Sequence, residues 1–225
     1  MAPESEASLA WSLVVPVKLL AQAKSRLTGL TRQRRSQLAL AMAADTVAAA
    51  IRADAVAAVL VVTDDPEVAD TAGELGAIVL ADEPAAGLNE ALRHGARHAR
   101  VRWPDRGVAG LAADLPALHP EELTRALAAA ASLRAAFVPD AAGTGTTLYA
   151  AVPGALFRPR FGSLSRRQHL ADGAAEIGTI EDAATGQLAG LRQDVDTVDD
   201  LRLAATIGLG PRTEAVLARA AEILS

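Results

Sequence analysis

Short apolar runs alternate along the chain with longer segments in which apolar residues recur at helical spacing. The runs predicted to be strands are residues 12–17, 55–63, 77–80, 107–113, 135–138, 146–152 and 188–195. Helices are predicted over residues 31–51, 65–76, 88–102, 198–207 and 211–224, and two more are predicted to begin at residues 119 and 165. Because most of these strands are apolar throughout rather than alternating, they are expected to be buried on both faces. Predicted strands that alternate with predicted helices along the chain, and that are buried on both faces, indicate an α/β fold with a mostly parallel sheet.

Length and composition narrow the class of protein. The chain has 225 residues, of which 51 % are hydrophobic and 3 % aromatic, and it contains no Cys. A chain of this length buries a full core without disulfides, and the lack of Cys excludes a thiolate metal site and a cysteine nucleophile. Since we find neither an internal repeat nor a linker, we predict a single domain over residues 12–225. Residues 1–11 before it are predicted to be a disordered leader.

The charge pattern bears on the partners. The net charge is −5, and with so few aromatic residues this argues against nucleic acid as the main partner, because phosphate neutralisation and base stacking are both undersupplied. The longest strongly apolar stretch, residues 55–62, is much shorter than the roughly 20 residues that span a bilayer. Residues 1–9 carry two Glu and no basic residue, unlike a signal peptide. We expect a cytoplasmic protein that binds no membrane, and a last helix that packs either in cis or on another copy, which leaves a homo-oligomer open.

Basic residues follow the first predicted strand. Ligands of open α/β sheets bind beyond the carboxyl ends of the strands, so the residues after each strand are the first candidates for a site. Lys18, Lys24 and Arg26 are able to grip a polyphosphate through charge-assisted hydrogen bonds. A solvated basic loop explains the same residues. The segment is neither a P-loop nor GxGxxG, so it supports neither a Walker NTPase nor a dinucleotide dehydrogenase.

Further candidates for nucleotide binding follow the second and third strands. Asp64 is positioned to hydrogen-bond a base or a sugar, whereas its neighbour Asp65 is predicted to cap a helix. Gly87 allows close approach of the backbone, and Asn89 is able to recognise a purine edge or a ribose. A plain turn followed by a helix cap explains Gly87 and Asn89 nearly as well.

Carboxylates follow two later segments. Asp114 stands directly after the fourth strand and before a proline turn, and Asp194 and Asp196 share one side of an extended segment because side chains alternate with period two. Oxygen ligands suit magnesium, which also bridges substrate phosphates. The three aspartates would form a metal cluster if the ends converge. Each is also explained as a helix cap or a turn residue.

Hydroxyl groups and then basic residues fill two loops in the second half of the chain. Backbone N–H groups at the helix that begins at Ser165 are suited to hold an anion, whereas Ser163 alone is better explained by a surface loop. The sequence shows no pattern of a Ser/His/Asp catalytic triad, and its histidines do not have the spacing of metal ligands. The residues of the two loops are Thr144, Thr146, Thr147, Gly162, Ser163, Ser165, Arg166 and Arg167.

Five segments together resemble one enzyme family. They are VPVKLLAQAKSRL (15–27), AADLP (112–116), GTGTTLYAA (143–151), FGSLSRRQH (161–169) and DVDTVDDL (194–201). In this order they are similar to the guanylyltransferase family of deazaflavin coenzyme F-420 biosynthesis, over about residues 12–208. The first segment is shared more loosely with other nucleotidyltransferases, such as molybdopterin guanylyltransferases.

The resemblance implies a Rossmann-like, GT-A-like nucleotidyltransferase fold that uses GTP and Mg²⁺. The expected reaction joins the GMP moiety of GTP to phosphoenolpyruvate or 2-phospho-L-lactate and releases pyrophosphate; with phosphoenolpyruvate the product is enolpyruvyl-diphospho-5'-guanosine. Another nucleotidyltransferase with a molybdopterin or sugar-phosphate acceptor, and a nucleotide-binding protein without activity, remain alternatives.

The resemblance also implies roles for particular residues. Thr147, Gly162 and Ser165 are expected to contact the carboxylate and phosphate of the acceptor. The expected metal ligands are Asp114, Asp194 and Asp196. Lys18, Lys24 and Arg26 match the phosphate-binding segment of the family. Lys24 and Arg26 are expected to stabilise the leaving pyrophosphate. The predicted catalytic residues are therefore Lys24, Arg26 and Asp114.

Overall fold

The structure, a computed structural model, describes residues 9–22, 24, 26–27, 29–178 and 187–219. Its strands are β1 (Trp11–Pro16), β2 (Val56–Val62), β3 (Ile78–Leu80), β4 (Gly107–Leu111), β5 (Ala135–Val138), β6 (Leu148–Ala151) and β7 (Ala175–Glu176). Its helices are α1 (Arg32–Arg52), α2 (Pro66–Glu74), α3 (Leu88–Arg102), α4 (Pro120–Ala130), α5 (Ser165–Ala171), α6 (Ala189–Arg192), α7 (Val198–Ile207) and α8 (Pro211–Ala218), and a turn of 3-10 helix lies at Leu20–Gln22.

The strands form a mixed, mostly parallel sheet in the order β3-β2-β1-β4-β6-β5-β7. β1 pairs in parallel with both β2 and β4, whereas β6 runs antiparallel to β4 and β5. This confirms the fold class predicted from the sequence. The strand order reverses at β1, because β2 lies on one side of it and β4 on the other. In open α/β sheets such a reversal opens a crevice at the carboxyl ends of the two strands.

Two layers of apolar side chains cover the faces of the sheet. Leu13 and Val15 of β1 face the layer filled from α1, α2 and α4, whereas Val14 faces the layer covered by α3. A third apolar cluster lies between α1 and the helices α7 and α8. Because both faces of the central strands are covered, their sequences are apolar throughout instead of alternating.

The last described helix, α8, packs in cis. The carboxylate of Asp45, which is buried in α1, accepts hydrogen bonds from the backbone N–H groups of Arg212 and Thr213 at the start of α8. Leu217 adds an apolar contact to the cluster beside α1. Of the two arrangements that the sequence left open for this helix, residues 211–218 adopt packing within the chain.

Several predicted boundaries match the structure and others do not. The limits of α3, β5 and α7 are those predicted. Residues 188–195 were predicted to form a strand, and this is wrong: they contain α6, because the buried Leu188 and Leu191 follow helical and not alternating spacing. Trp11, which we placed in the leader, is fully buried in β1, and residues 1–8 of that leader lie outside the described residues.

Within the described ranges, no helix combines the length and the apolar character needed to cross a bilayer.

Candidate active site

A cavity of about 680 Å³ opens at the carboxyl ends of β1 and β4, where the strand order reverses. This volume is within the range of small-molecule binding sites. Its polar lining comes from segments that follow β1, β4, β5, β6 and α6, and it comprises Lys18, Lys24, Arg26, Asp114, Asp140, Thr144, Thr146, Ser163, Asp194 and Asp196. The tertiary structure thus gathers at one place groups that are up to 178 residues apart in the sequence.

One side of the cavity, which we call the carboxylate wall, consists of Asp114, Asp194 and Asp196 with Lys24. The backbone N–H of Val195 donates to the carbonyl oxygen of Asp114 at 3.1 Å, which holds residues 194–196 beside the end of β4. The side chain of Val195 is fully buried, and Asp194 and Asp196 on either side of it both line the cavity. The two carboxylates therefore face the same way, as the period-two spacing predicts.

Lys24 connects the two outer carboxylates of this wall. Its ammonium group is hydrogen-bonded to Asp114 and lies 3.2 Å from Oδ1 of Asp196. Arg26 lies 3.3 Å from the other oxygen of Asp196, but its side chain is 75 % exposed, whereas that of Lys24 is 10 % exposed. Lys24 has a φ of 55°, a left-handed conformation that is uncommon for a residue with a side chain. The segment thus turns sharply and directs the Lys24 ammonium between the carboxylates.

The charges of the wall shift the pKa values of two of its members. Burial by itself lowers the pKa of Lys24, but attraction and hydrogen bonding to Asp114 and then Asp196 outweigh it, so that the pKa is raised. Burial, followed by repulsion from Asp114, Asp140 and Asp196, raises the pKa of Asp194 to about 7. The wall therefore holds more negative charge than Lys24 neutralises, and a further cation would be stabilised there.

The predicted three-carboxylate metal cluster needs a correction in its geometry. The three aspartates share the cavity, yet among the described residues no group of three or more His, Cys, Asp or Glu side chains is arranged to hold a metal ion. The Lys24 ammonium lies between Asp114 and Asp196. What the fold supplies is a pair of carboxylates that converge on one cation, with Asp194 beside them.

Another part of the cavity, which we call the hydroxyl wall, consists of Thr146 with the two residues bonded to it, Ser165 and His169. Thr146 precedes β6 and lines the cavity, whereas Ser165 and His169 lie on α5 and are both fully buried. Because Ser165 and His169 are four residues apart, they share one face of the helix. Both approach the Thr146 hydroxyl, with Oγ of Ser165 at 2.9 Å and Nδ1 of His169 at 3.0 Å.

The residues predicted to contact the acceptor lie in or beside this wall. Gly162 lines the cavity with a φ of 134°, a conformation that side-chain-bearing residues rarely adopt. Thr147 and Ser165 do not line it: Ser165 donates to Thr146, and the buried Thr147 hydroxyl has no hydrogen-bond partner among the described residues. Their neighbours Thr146 and Ser163 occupy the lining positions.

The residues predicted to bind the nucleotide divide into two groups. Lys18 and Lys24 line the cavity, whereas Asp64, Gly87 and Asn89 do not. Asp64 accepts a hydrogen bond from the backbone N–H of Asp82 at 2.9 Å, and Gly87 is the N-cap residue of α3. The Asn89 amide donates to the carbonyl of Phe161 and accepts from its N–H. Asn89 is therefore a clamp on the backbone that leads into Gly162.

Sequence reasoning gave no site role to Asp140, Ser163 and His169, and Thr146 was noted only as one of several hydroxyls. The carboxylate of Asp140 accepts from the N–H groups of Thr144 and Gly145, each at 2.8 Å, and fixes the loop before β6. A signal for His169 was present in its spacing of four residues from Ser165, which places both on one helix face. No sequence signal separates Thr146 from Thr147, since only the start of β6 decides which one faces the cavity.

Known proteins match this chain over nearly its whole length. Residues 11–210 match the family model described as "Guanylyl transferase CofC like". A protein of Thermomonospora curvata named phosphoenolpyruvate guanylyltransferase is 56 % identical over 214 residues, which are 95 % of this chain and 91 % of that protein. One of Streptomyces coelicolor with the same name is 54 % identical over 93 % of this chain and 96 % of its own.

Solved structures share the fold at low sequence identity. A protein of Desulfovibrio desulfuricans described as a nucleotide-diphospho-sugar transferase superimposes with a TM-score of 0.69 at 16 % identity, over 95 % of this chain and 96 % of that chain. A nucleotidyl transferase from Methanothermobacter gives a TM-score of 0.61 at 21 % identity, over 88 % and 97 % of the two chains. With the family model, these matches show that the chain has a nucleotidyltransferase fold and belongs to the CofC-like guanylyl transferase family.

Proposed function

We propose that this chain is a phosphoenolpyruvate guanylyltransferase of coenzyme F-420 biosynthesis. It would transfer the GMP moiety of GTP to phosphoenolpyruvate, release pyrophosphate and form enolpyruvyl-diphospho-5'-guanosine. The observation that carries the proposal is the identity of 56 % and 54 % to proteins of this name over more than nine-tenths of both chains. We expect 2-phospho-L-lactate to be the competing acceptor, and a cytoplasmic location, where GTP is available.

The proposed reaction needs no general base. The acceptor is a phosphate monoester whose second pKa is about 6, so it is already mostly ionised at neutral pH. One of its oxygens attacks the α-phosphorus of GTP, a new P–O bond forms, and the bond to the β-phosphate oxygen breaks as pyrophosphate leaves. The main obstacle is repulsion between two anions, and an enzyme lowers it by positioning and by electrostatic stabilisation.

We propose that the basic residues after β1 bind the triphosphate. Lys18 and Lys24 line the cavity, and the exposed side chain of Arg26 stands at its edge. We propose that Lys18 and Lys24 hold phosphate oxygens of GTP, and that Lys24 and Arg26 stabilise the leaving pyrophosphate. Lys24 would exchange its carboxylate partners Asp114 and Asp196 for phosphate when GTP binds.

The carboxylate wall suits a hard divalent cation. The Lys24 ammonium is a stand-in for such a cation, because Asp114 and Asp196 both converge on it. Magnesium is commonly bound by one or two carboxylates together with substrate phosphates, so the pair suffices without a three-carboxylate cage. We propose Asp114 and Asp196 as its ligands, with Asp194 adding charge beside them. When bound, magnesium neutralises phosphate charge and aligns the reacting groups.

The acceptor is proposed to lie against the hydroxyl wall. Phe161, Gly162 and Ser163 line the cavity. Of the predicted contacts, Thr147 follows the lining residue Thr146 in the chain, and Ser165 is hydrogen-bonded to Thr146. For Asp64 and Asn89, whose side chains are bonded within the protein, we propose no direct contact with GTP.

The experiment that tests the proposed function is an assay of pyrophosphate release. The purified protein is incubated with GTP and Mg²⁺ and, in parallel, with phosphoenolpyruvate, 2-phospho-L-lactate, a sugar phosphate or no acceptor. We expect the highest kcat/KM with phosphoenolpyruvate and no release without an acceptor. A higher kcat/KM with 2-phospho-L-lactate would change the proposed substrate, and release only with the sugar phosphate would overturn the proposal.

A further inference from the structure

A chain of hydrogen bonds runs from the backbone to the cavity through the hydroxyl wall. The backbone N–H of Arg160 donates to Nε2 of His169 at 2.9 Å. On the other side of the ring, Nδ1 lies 3.0 Å from the hydroxyl of Thr146. The Ser165 hydroxyl lies 2.9 Å from the same Thr146 oxygen. Two buried groups thus converge on the hydroxyl of a residue that lines the cavity.

The Arg160 amide determines where the proton of the His169 ring resides. His169 is fully buried, with its ring stacked 4.6 Å from that of Tyr149, and burial lowers its pKa to about 4, so the ring is neutral at neutral pH. A neutral imidazole has one protonated nitrogen and one acceptor nitrogen. Because an N–H donates to Nε2, the proton is on Nδ1, and Nδ1 donates to Thr146.

The Ser165 hydroxyl is restricted in the same way. It is fully buried, and the described residues offer its proton one acceptor, Oγ1 of Thr146. A hydroxyl has two acceptor lone pairs and one donor proton. Thr146 therefore uses both lone pairs for His169 and Ser165, while its own proton has no acceptor among the described residues. Since Thr146 lines the cavity, that proton is available to an acceptor atom inside it.

We propose that the Thr146 hydroxyl binds an anionic oxygen of the acceptor substrate, and that Ser165 and His169 are positioning residues that hold it in the donor orientation. This inference rests on the proposed function, which supplies a small acid with phosphate and carboxylate oxygens. It also explains how Ser165 acts on the acceptor without lining the cavity. A donor whose lone pairs are both occupied cannot turn to accept, so the site discriminates against a ligand that only donates.

Binding of the acceptor tests the role of Thr146 independently of turnover. Phosphoenolpyruvate is titrated calorimetrically into Thr146→Val, Thr146→Ser and the wild type, each with a non-hydrolysable GTP analogue and Mg²⁺. We expect Thr146→Val to weaken phosphoenolpyruvate binding about tenfold or more, as for loss of a hydrogen bond to a charged group. Thr146→Ser is expected to retain binding within about threefold, and affinity for the GTP analogue is expected to change little in either variant.

Thr147→Val is the matched comparison, because it removes the same atoms from the next residue. We expect it to weaken acceptor binding less than Thr146→Val does. Unchanged binding in Thr146→Val, or a larger loss in Thr147→Val, would overturn the inference. A wild type that binds phosphoenolpyruvate but releases no pyrophosphate would instead overturn the proposed function and leave the role of Thr146 to be decided by the binding data.

Two substitutions of His169 test positioning. An Asn side chain retains a donor near the place of Nδ1, whereas a Gln side chain reaches the place of Nε2 and lacks that donor. Both remove the ring and its stacking, so their thermal stabilities serve as a check that packing is equally affected. We expect His169→Asn to bind phosphoenolpyruvate about as well as the wild type and His169→Gln to resemble Thr146→Val. Equal affinities in the two variants would show that His169 has only a structural role.

Discussion

The two walls of the cavity differ in charge, in burial and in whether their internal contacts have to change when a ligand binds. The carboxylate wall holds three aspartates and Lys24, with the side chains of Asp114 and Asp196 27 % and 48 % exposed. The hydroxyl wall is uncharged, and its Ser165 and His169 are fully buried in an apolar layer. Charged groups near water exchange partners at small cost, whereas a buried network changes only when its packing breaks.

This difference indicates a division of labour. In the carboxylate wall, Lys24 holds Asp114 and Asp196 together. In the proposed function a metal would take the place of its ammonium, and phosphates of GTP would become the new partners of Lys24. The hydroxyl wall would bind the proposed anion without rearrangement, because a backbone amide and burial fix its proton positions. Preorganised dipoles need no reorganisation when the substrate arrives, which is the property that lowers a barrier.

The strongest way to break the carboxylate wall is Asp114→Asn. We expect kcat to fall about 100-fold or more, because the change removes a charge that both Lys24 and the proposed metal need. We expect the melting temperature to change little, since Asp114 is partly exposed. The assay is pyrophosphate release under saturating substrates. Asp199→Asn is the matched control, because Asp199 is an exposed residue whose partner is Arg202 on the surface. Wild-type activity in Asp114→Asn would show that the Asp114 carboxylate is not needed for the reaction.

Acid is expected to lower the free energy of unfolding through His169 of the hydroxyl wall. The pKa of His169 is 6.5 in the unfolded chain and about 4 in the fold, because burial disfavours the charged ring more than Asp172 favours it. The unfolded chain therefore binds more protons between these values. The free energy of unfolding is therefore unaffected by protonation of His169 above about pH 6.5 and decreases as the pH falls toward 4. The decrease amounts to about 2 kcal/mol between pH 7 and pH 5.

Urea unfolding across this pH range measures the effect. In His169→Asn the corresponding part of the pH dependence is expected to disappear. The same substitution at His98, which is exposed on α3, is expected to leave the pH dependence as it is in the wild type. An unchanged slope in His169→Asn would mean that other groups cause the acid sensitivity.

Removal of the Lys24 ammonium is expected to strengthen metal binding, because it takes a positive charge from between Asp114 and Asp196. With the ammonium between Asp114 and Asp196, only the fraction of molecules with Lys24 displaced is competent for a divalent cation. We therefore expect Lys24→Met to bind Mn²⁺ about tenfold more tightly than the wild type without nucleotide. Titration followed by electron paramagnetic resonance measures this affinity.

Lys18→Met is the control for metal affinity, since it removes the same charge from the same cavity without a contact to the aspartates. Pyrophosphate release by Lys24→Met is expected to fall although the metal binds more tightly, because the proposed phosphate contact is lost. Weaker Mn²⁺ binding in Lys24→Met would contradict competition between the ammonium and the metal.

The smallest effect is expected at the clamp beside the hydroxyl wall. Asn89→Ala removes two hydrogen bonds to the backbone of Phe161 and leaves its N–H without that partner. We expect the free energy of unfolding to fall by about 1 kcal/mol. Gln33→Ala, at an exposed position of α1, controls for loss of an amide. A loss of GTP affinity in Asn89→Ala at unchanged stability would favour the nucleotide contact that the sequence suggested.

The sequence by itself determined the fold class and the composition of the site. Apolar runs at residues 55–63 and 135–138 predicted β2 and β5, because a strand buried on both faces needs apolar side chains throughout. The position of Asp114 after β4, and the paired Asp194 and Asp196, predicted a shared carboxylate wall. Local rules sufficed for Asp114, since the carboxyl ends of neighbouring parallel strands lie at one edge of a sheet. They did not suffice for the meeting of Asp114 with Asp194 and Asp196, because these two follow a helix and not a strand.

The tertiary structure decided which side chains meet and in what protonation state. Lys24 bridges carboxylates that are 90 and 172 residues away, and no local pattern encodes such a contact. The choice of Thr146 over Thr147 as the lining residue depends on the register with which β6 joins its neighbours. The proton of His169 is placed by an amide of another segment and by burial, and both exist only after the chain has packed.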